Sequence, residues 1–540
     1  MPTTINRCVA LAALLVLVWL SPVRADMLPG QHIYRDGMLP SGQPLRGQLR
    51  NGALLSGPTA ACARCHRRSG LGGGEGPNTV RPITGDLLFT PPAATDASRP
   101  AYDLDTLARA LREGVDPNGR RLDALMPRFE LSDAQIGQLA AYLQQLSSTS
   151  TPGVSGSEIH FATVIAPNVD ARQEQALLSV LQAFFAGKNG ATRQEQRRRE
   201  IGRRQNGGNV TGNEKMYLSY RTWQLHEWRL KGPPAAWPAQ LDKYYREQPV
   251  FALLSGIGNG DWQPVHAFCE RNEIPCLFPS IDFSGQALDG YASFYFSRGA
   301  QLEAEVLAKH LVAAGQSGDI VQVFRDDAGG RAAAQSLRSA LQQRGLAVAD
   351  RPLAAGGDLS AAFWSRLLDA AHPQTLVLWL NEADMAAFPL QQKAPPGLAR
   401  LYVSASLVQP EHLQPADGWL DKLHIVDQSE PATRRSPRMA RMKVWLRMRN
   451  VPLLDERIQS NAFFAASLAG DALAHMDENY SRDYFIERVE HMTEQSLLPS
   501  VYPRLSLGPG QRFASKGAYV SGYAANGTLA TAQPQDWLVP

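Results

Sequence analysis

Apolar positions recur in two rhythms along this chain, and the change of rhythm near residue 150 divides it. Before that point the pattern is helical. Leu104, Leu107, Ala108 and Leu111 fall at the three-and-four spacing of one helix face, with Gly114 as a stop. Ile136, Leu139, Ala140, Leu143 and Leu146 repeat that spacing in a second helix, which opens on Ser132 and Gln135 in a capping-box arrangement. Residues 148–157 are rich in Ser, Thr and Gly and read as a flexible linker. Beyond it, short apolar runs at residues 159–166, 250–254, 294–296, 320–324, 375–380 and 401–403 predict strands. Helical stretches lie between them: one with Ala176, Leu177, Val180, Leu181, Phe184 and Phe185 on a face and Gly187 as its stop, then 301–314 and 331–344, closed by Gly315 and Gly345. Strand–helix alternation predicts parallel, doubly wound sheets, and a stretch this long predicts two lobes. The expected fold class is multi-domain: a small all-α domain over residues 26–147 followed by a two-lobed α/β domain over residues 158–540.

The start of the chain changes the compartment. Arg7 supplies a basic n-region, residues 9–20 form an apolar run too short to span a bilayer comfortably, and Pro22-Val23-Arg24-Ala25 ends in a cleavage-site pattern. Residues 1–25 therefore read as a signal peptide, against an uncleaved anchor as the alternative. The mature protein is expected in a periplasm and not spanning its membrane. Composition, with 44% apolar and 19% charged residues, is that of a globular protein. The formal charge of +3 falls by two when Arg7 and Arg24 leave, so nucleic acid is not an expected partner. The basic run over residues 193–204 contains Glu195 and Glu200 and no aromatic residue, and reads as a solvated face.

Cys62-Ala63-Arg64-Cys65-His66 is a C-x-x-C-H sequence. Two thiols three residues apart reach the two vinyl groups of one haem, and the adjacent imidazole then faces the iron. No second Cys/His pair at zinc spacing stands nearby. Cys8 leaves with the leader, so Cys269 and Cys276 remain; in an oxidising compartment their position between a helix and a strand predicts a local disulfide. Glycines at 70, 72, 73, 74 and 76 would let backbone pass close to a flat macrocycle. Met126, stiffened by Pro127 and just ahead of the last helix, is the candidate second axial ligand. The alternatives are core packing for Met126, with Met38 or Met27 as ligand, or an open site.

Residues 50–147 resemble the class I cytochrome c family, through Cys62-x-x-Cys65-His66, Met126-Pro127, and the closing helix from Leu131-Ser132-Asp133 to Ala141-Tyr142-Leu143. The resemblance implies one covalent haem c ligated by His66 and Met126, with an exposed edge for electron exchange with a periplasmic redox partner. Where that family has a long helix before the haem motif, this chain has Gly42, Pro44, Gly47, Gly52 and Gly57.

The longer region resembles type I periplasmic binding proteins, the branched-chain amino acid and amide receptors of ABC importers. The resemblance rests on Pro249–Gly256, Glu273–Pro279 and Val321–Asp327. It implies a small-molecule ligand between the lobes and an ABC permease as a partner. Ligands of that fold sit at the carboxyl ends of strands and at helix N-termini, which points to Ser255, Gly256, Asp282, Ser297, Arg325 and Asn381; each also reads as a helix cap or turn residue. Residues 188–232 depart from the family, with the Arg-rich run and Trp223 and Trp228, so amino-acid specificity does not carry over. Residues 506–516, centred on Gly508-Pro509-Gly510, read as a structural turn, since no P-loop Gly-Lys-Ser/Thr is present. The leading reading is an electron-transfer cytochrome fused to a receptor; the alternative is an importer receptor with haem as an accessory. An enzyme is not expected, because no nucleophile–base pair or flavin signature appears.

Overall fold

The structure, a computed structural model, describes residues 29–540 apart from 76–77, 91–98, 147–149, 168, 206–220, 284, 286–289, 317, 355, 358, 477–478, 509, 525–526 and 530–535. The leader reading at residues 1–25, with Met27, lies outside the described residues. The chain forms two compact units, Met1–Ser148 and Thr149–Pro540.

In the first unit, helices α1 (Pro29–Asp36), α2 (Ala63–His66), α3 (Gly85–Leu88), α4 (Leu104–Arg112) and α5 (Asp133–Gln145) enclose one core. Ile33, Tyr34, Leu107, Leu111, Ile136, Leu139 and Leu143 are its buried members. The Ser132–Gln135 capping box is present at the start of α5. A small sheet adds β1 (Arg46–Gln48), β2 (Leu54–Ser56) and β5 (Arg128–Phe129), and β3 (Gly73–Glu75) pairs with β4 (Asn78–Val80). The helix ahead of the C-x-x-C-H sequence, α1, lies upstream of the glycines at 42–57. It crosses α5 where Gly30 leaves no room for a side chain: a Cβ there would stand 2.1 Å from the Gln138 carbonyl oxygen. Glycine at this crossing lets the two backbones meet. Tyr34 and Tyr142 pack with ring centroids 5.4 Å apart beside it.

In the second unit, all strands of the first lobe are parallel. β6 (Glu158–Ile165) pairs with β7 (Thr222–Arg229), β8 (Ala252–Leu254) and β9 (Ile257–Asp261); β10 (Cys276–Leu277), β11 (Ser280–Phe283) and β12 (Ser293–Phe294) extend the sheet. The second lobe orders β14 (Ala349–Leu353), β13 (Ile320–Arg325), β15 (Thr375–Trp379), β16 (Arg400–Ser404), β17 (Leu423–Asp427) and β18 (Tyr519–Gly522), the last antiparallel. Near-continuous apolar runs such as Thr375–Trp379, buried throughout, are what a sheet covered on both faces requires. The chain crosses between the lobes three times, at residues 295–299, 428–431 and 516–518, because β12 and the 432–474 region pack in the first lobe while β17 and β18 pack in the second.

Two local expectations change. The helix expected to stop at Gly187 runs on, as α6 (Ala171–Gln205). Asn189 holds it in place by exchanging hydrogen bonds with the Trp223 backbone, at 2.7 and 2.9 Å, so tertiary contacts override the weak helix propensity of Gly187 and Gly190. The expected linker is packed from residue 150 onward. Thr151 Oγ1 donates to the Tyr480 carbonyl at 2.7 Å, and His160 N donates to the Gly153 carbonyl at 2.8 Å.

Candidate functional site

Cys62 and Cys65 lie on one turn of chain at α2, the Cys65 and His66 amides both donating to the Cys62 carbonyl. Neither thiol is in a disulfide; Cys62 is half-buried and Cys65 exposed. Burial pushes the Cys62 thiol up to about 12, so its apolar seat disfavours a thiolate and accepts an uncharged sulfur. His66 is half-buried, and its Nδ1 stands 2.9 Å from the Arg81 carbonyl oxygen. That bond makes Nδ1 the protonated nitrogen and leaves Nε2 as the ring's lone-pair donor. Burial also holds the imidazole below its ordinary value, toward the neutral form that ligates metals.

Met126 is half-buried and packs against the same core cluster as Cys62 and Ala63. Its amide donates to the Asp123 carbonyl at 3.2 Å, and its own carbonyl accepts from the Arg128 guanidinium, which fixes the loop ahead of β5. Gly72 approaches the Val80 carbonyl, where a Cβ would stand 2.1 Å away, and Gly73–Glu75 forms one side of a hairpin. Two unbridged thiols on one turn, a histidine with Nε2 unspent and a thioether on the shared core form a donor set that fits a haem. Among the described residues no group of three or more His, Cys, Asp or Glu side chains is gathered as for a bare metal ion.

The second unit has a cleft where its crossing segments meet. Ser280, Tyr295, Ser297, Ser406, Gln428, Arg457, Asn461 and Tyr502 are among its lining residues, around a cavity of about 30 Å3. That is room for little more than a water molecule. A hydrogen-bond network closes it. Gln428 Nε2 donates to the Gly299 carbonyl (3.0 Å), to Ser406 Oγ (2.9 Å) and to Glu303 (3.1 Å), while Ser297 donates to Gln428 Oε1. Glu303 is wholly buried and also accepts from Ser404 and Ser406; burial pushes it up to about 7.

Of the six positions expected to face a ligand, Ser297 lines this cleft. Ser255 is buried with Oγ donating to the Phe278 carbonyl, and Gly256 packs beside Trp262. Asp282 lies on β11, the strand that also carries the lining residue Ser280. Arg325 makes a two-pronged ion pair with Asp384, at 2.9 and 2.6 Å, and Asn381 caps the helix Glu382–Met385 through the Asp384 amide. Gln428, Arg457, Asn461 and Tyr502 were not foreseen. Gln428 directly follows β17, Arg457 and Asn461 lie one turn apart on the helix Glu456–Ala474, and Tyr502 comes from a third segment. Cys269 and Cys276 are disulfide-bonded, with Cα atoms 6.4 Å apart.

Comparison with known proteins agrees with both halves of this picture. The cytochrome c family model matches residues 50–147, and the periplasmic binding protein model matches residues 231–525. Solved structures with the fold of the second unit include a substrate-binding protein of an ABC transporter from Aeropyrum pernix, at 15% identity over 71% of this chain and 96% of that one, with a TM-score of 0.52. A branched-chain amino acid ABC transporter protein from Thermus thermophilus with bound valine is similar at 11% identity over 72% and 98% of the chains, with a TM-score of 0.51. At these identities the likeness is one of fold alone. A search of curated proteins finds no match. No helix among the described residues is long and apolar enough to cross a membrane. With more than half of its length matched by that model, the chain belongs to the periplasmic binding protein family, and it carries a cytochrome c domain ahead of the binding domain.

Proposed function

We propose that this protein is an exported single-electron carrier whose redox module is fused to a small-molecule receptor. One observation carries the reading: His66, next to two unbridged thiols on one turn, has Nδ1 committed to the Arg81 carbonyl and Nε2 unspent. Haem c supplies a one-electron couple, and a His/Met ligand pair sets it toward positive potential. In this reading Cys62 and Cys65 would anchor the group as thioethers, and His66, through Nε2, and Met126 would hold its iron. With two side chains to hold the iron, electron transfer would be favoured over catalysis.

The binding domain takes a small ligand between its lobes, in the cleft bounded by Ser280, Ser297, Gln428 and Arg457. At about 30 Å3 this cleft admits a ligand only when the lobes part, which is the hinge motion the three crossings permit. The fusion of a redox module to a receptor predicts a midpoint potential that depends on ligand. Mass spectrometry of the mature protein, before and after digestion, tests the attachment: one haem on the peptide containing Cys62 and Cys65 is expected, and unmodified thiols there would end the proposal. The importer reading differs in its partner: a permease retained on purification from detergent-solubilised membranes would favour transport.

A further inference from the structure

We infer that the first lobe carries a ligand site of its own, a pocket between three helices that takes a small organic monoanion with an apolar body. The pocket lies between α6 and the helices Ala432–Met448 and Glu456–Ala474 and has a volume of about 350 Å3. It shares no lining residue with the interlobe cleft. Pockets for small ligands begin at about 300 Å3, so a molecule of one or two rings has room without any parting of the lobes. Each helix presents residues one turn apart: Phe184 and Lys188, then Arg441 and Trp445, then Phe463, Ser467 and Asp471. Gly470 and Ala474, with little or no side chain, leave the space open.

Three aromatic rings make the apolar wall. Trp445 and Phe463 stand with centroids 5.0 Å apart, and Phe184 lies 6.2 and 6.4 Å from them. Phe184 and Trp445 are only half-buried, so an apolar body laid on this wall would remove aromatic surface from water. Ser467 also lines the pocket. It is 8% exposed, and its hydroxyl has no hydrogen-bond partner among the described residues. A buried hydroxyl left unpaired is costly, and an anionic ligand oxygen would accept from it.

Charge decides the sign of the ligand. Lys188, Arg441 and Asp471 are the charged residues of the lining, two cations against one carboxylate. No further Asp or Glu stands next to a lining residue in the chain. Among the described residues none of these three side chains makes an ion pair or a hydrogen bond. Asp471 feels three basic neighbours through space, His475, Arg441 and Lys188, and Arg449 adds a further cation over the Trp445 ring at 4.5 Å. Burial holds the half-buried Lys188 ammonium below its ordinary value, and the charge of Asp471 offsets this only in part. A monoanion brings the lining to neutrality. A zwitterion leaves the positive excess in place, and an ammonium ligand adds to it.

Calorimetric titration of the haem-loaded full chain with naphthylacetate, naphthylacetamide and naphthylethylamine tests this. The carboxylate is expected to bind at least about tenfold more tightly than the amide, with the amine weakest. Lys188→Gln should erase that preference, and Asp471→Asn should tighten the carboxylate while leaving the amide unchanged. Ala474→Trp, at an exposed position of the lining, should fill the pocket and block carboxylate and amide alike. The Soret band and thermal unfolding midpoint of each variant should match wild type, and Lys188→Gln carries the test if Ala474→Trp does not fold. If the amide or the amine binds as tightly as the carboxylate, or if none of the three binds, the inference is overturned. Carboxylate binding left unchanged by Lys188→Gln and Ala474→Trp would belong to another site, such as the interlobe cleft; it would overturn the inference and leave the receptor reading standing.

Discussion

The Nδ1 atom of His66 and the carbonyl oxygen of Arg81 stand 2.9 Å apart. The bond gives a half-buried histidine on a four-residue helix one defined ring orientation and one available nitrogen. Fifteen residues of chain, including the hairpin β3–β4, separate the two partners, so the loop after the motif acts as the ring's support.

The two axial candidates separate by mutation. Met126→Ala should keep the covalent haem but open one coordination position, lowering the midpoint potential by on the order of 100 mV and allowing the ferrous form to bind carbon monoxide. His66→Ala should give little mature holoprotein. Optical spectra and a redox titration of the two variants decide this; a Met126→Ala protein with unaltered potential would return the ligand role to Met38 or Met27.

Gly30 tests the helix crossing that supports the first unit. Gly30→Ala would place a Cβ 2.1 Å from the Gln138 carbonyl oxygen and 2.9 Å from Tyr142 Cβ. The crossing must open, at a cost of about 1–3 kcal/mol as for other overpacked cores. Thermal unfolding followed by the haem Soret band should show a lower midpoint for the first unit.

Much of this architecture is legible in the sequence. Strand positions such as 320–324 and 375–380 match β13 and β15 within a residue, because a fully buried parallel strand must be apolar throughout. Gly187 misled as a helix stop, since the bonds between Asn189 and Trp223 that carry α6 past it join residues 34 positions apart. The C-x-x-C-H sequence stands out for the opposite reason: the chemistry proposed for it needs neighbours in sequence. The cleft gathers Ser280, Gln428, Arg457 and Tyr502 from four separate segments, and only the fold brings them together.

Arg512 explains why residues 506–516 are structural. Its guanidinium, 4% exposed, pairs with Glu490 at 2.7 Å, donates to the Gly290 carbonyl and lies over the Phe294 and Tyr291 rings. Arg512→Ala leaves Glu490 buried without that partner and should cost about 3–5 kcal/mol. Urea unfolding of the binding domain should show it; a loss below about 1 kcal/mol would contradict the assignment.

Glu303 gives the binding domain a pH dependence of known sign. Its folded value, about 7, lies above the ordinary 4.5, so its contribution is fully present below about 4.5 and is lost as pH rises through about 7. His310 acts oppositely: burial lowers it to about 4, so its contribution is present above the ordinary 6.5 and lost as pH falls. Comparing wild type with Glu303→Gln between pH 5 and 8 isolates the first term. The advantage of wild type over the variant should shrink as pH rises; an advantage that grows with pH would refute it.

Breaking the Cys269–Cys276 bridge should destabilise the first lobe by about 2–3 kcal/mol on a chain-entropy basis. The Cys269→Ser and Cys276→Ser double variant, compared by thermal unfolding in oxidising buffer, measures this.

The central claim is that His66 and Met126 together hold a haem for electron transfer. The most direct measurement is the spectrum of the haem-loaded protein in both oxidation states, followed during a redox titration. The account predicts low-spin iron throughout, one reversible single-electron step, and no binding of carbon monoxide to the reduced form. High-spin iron that binds carbon monoxide readily would contradict it.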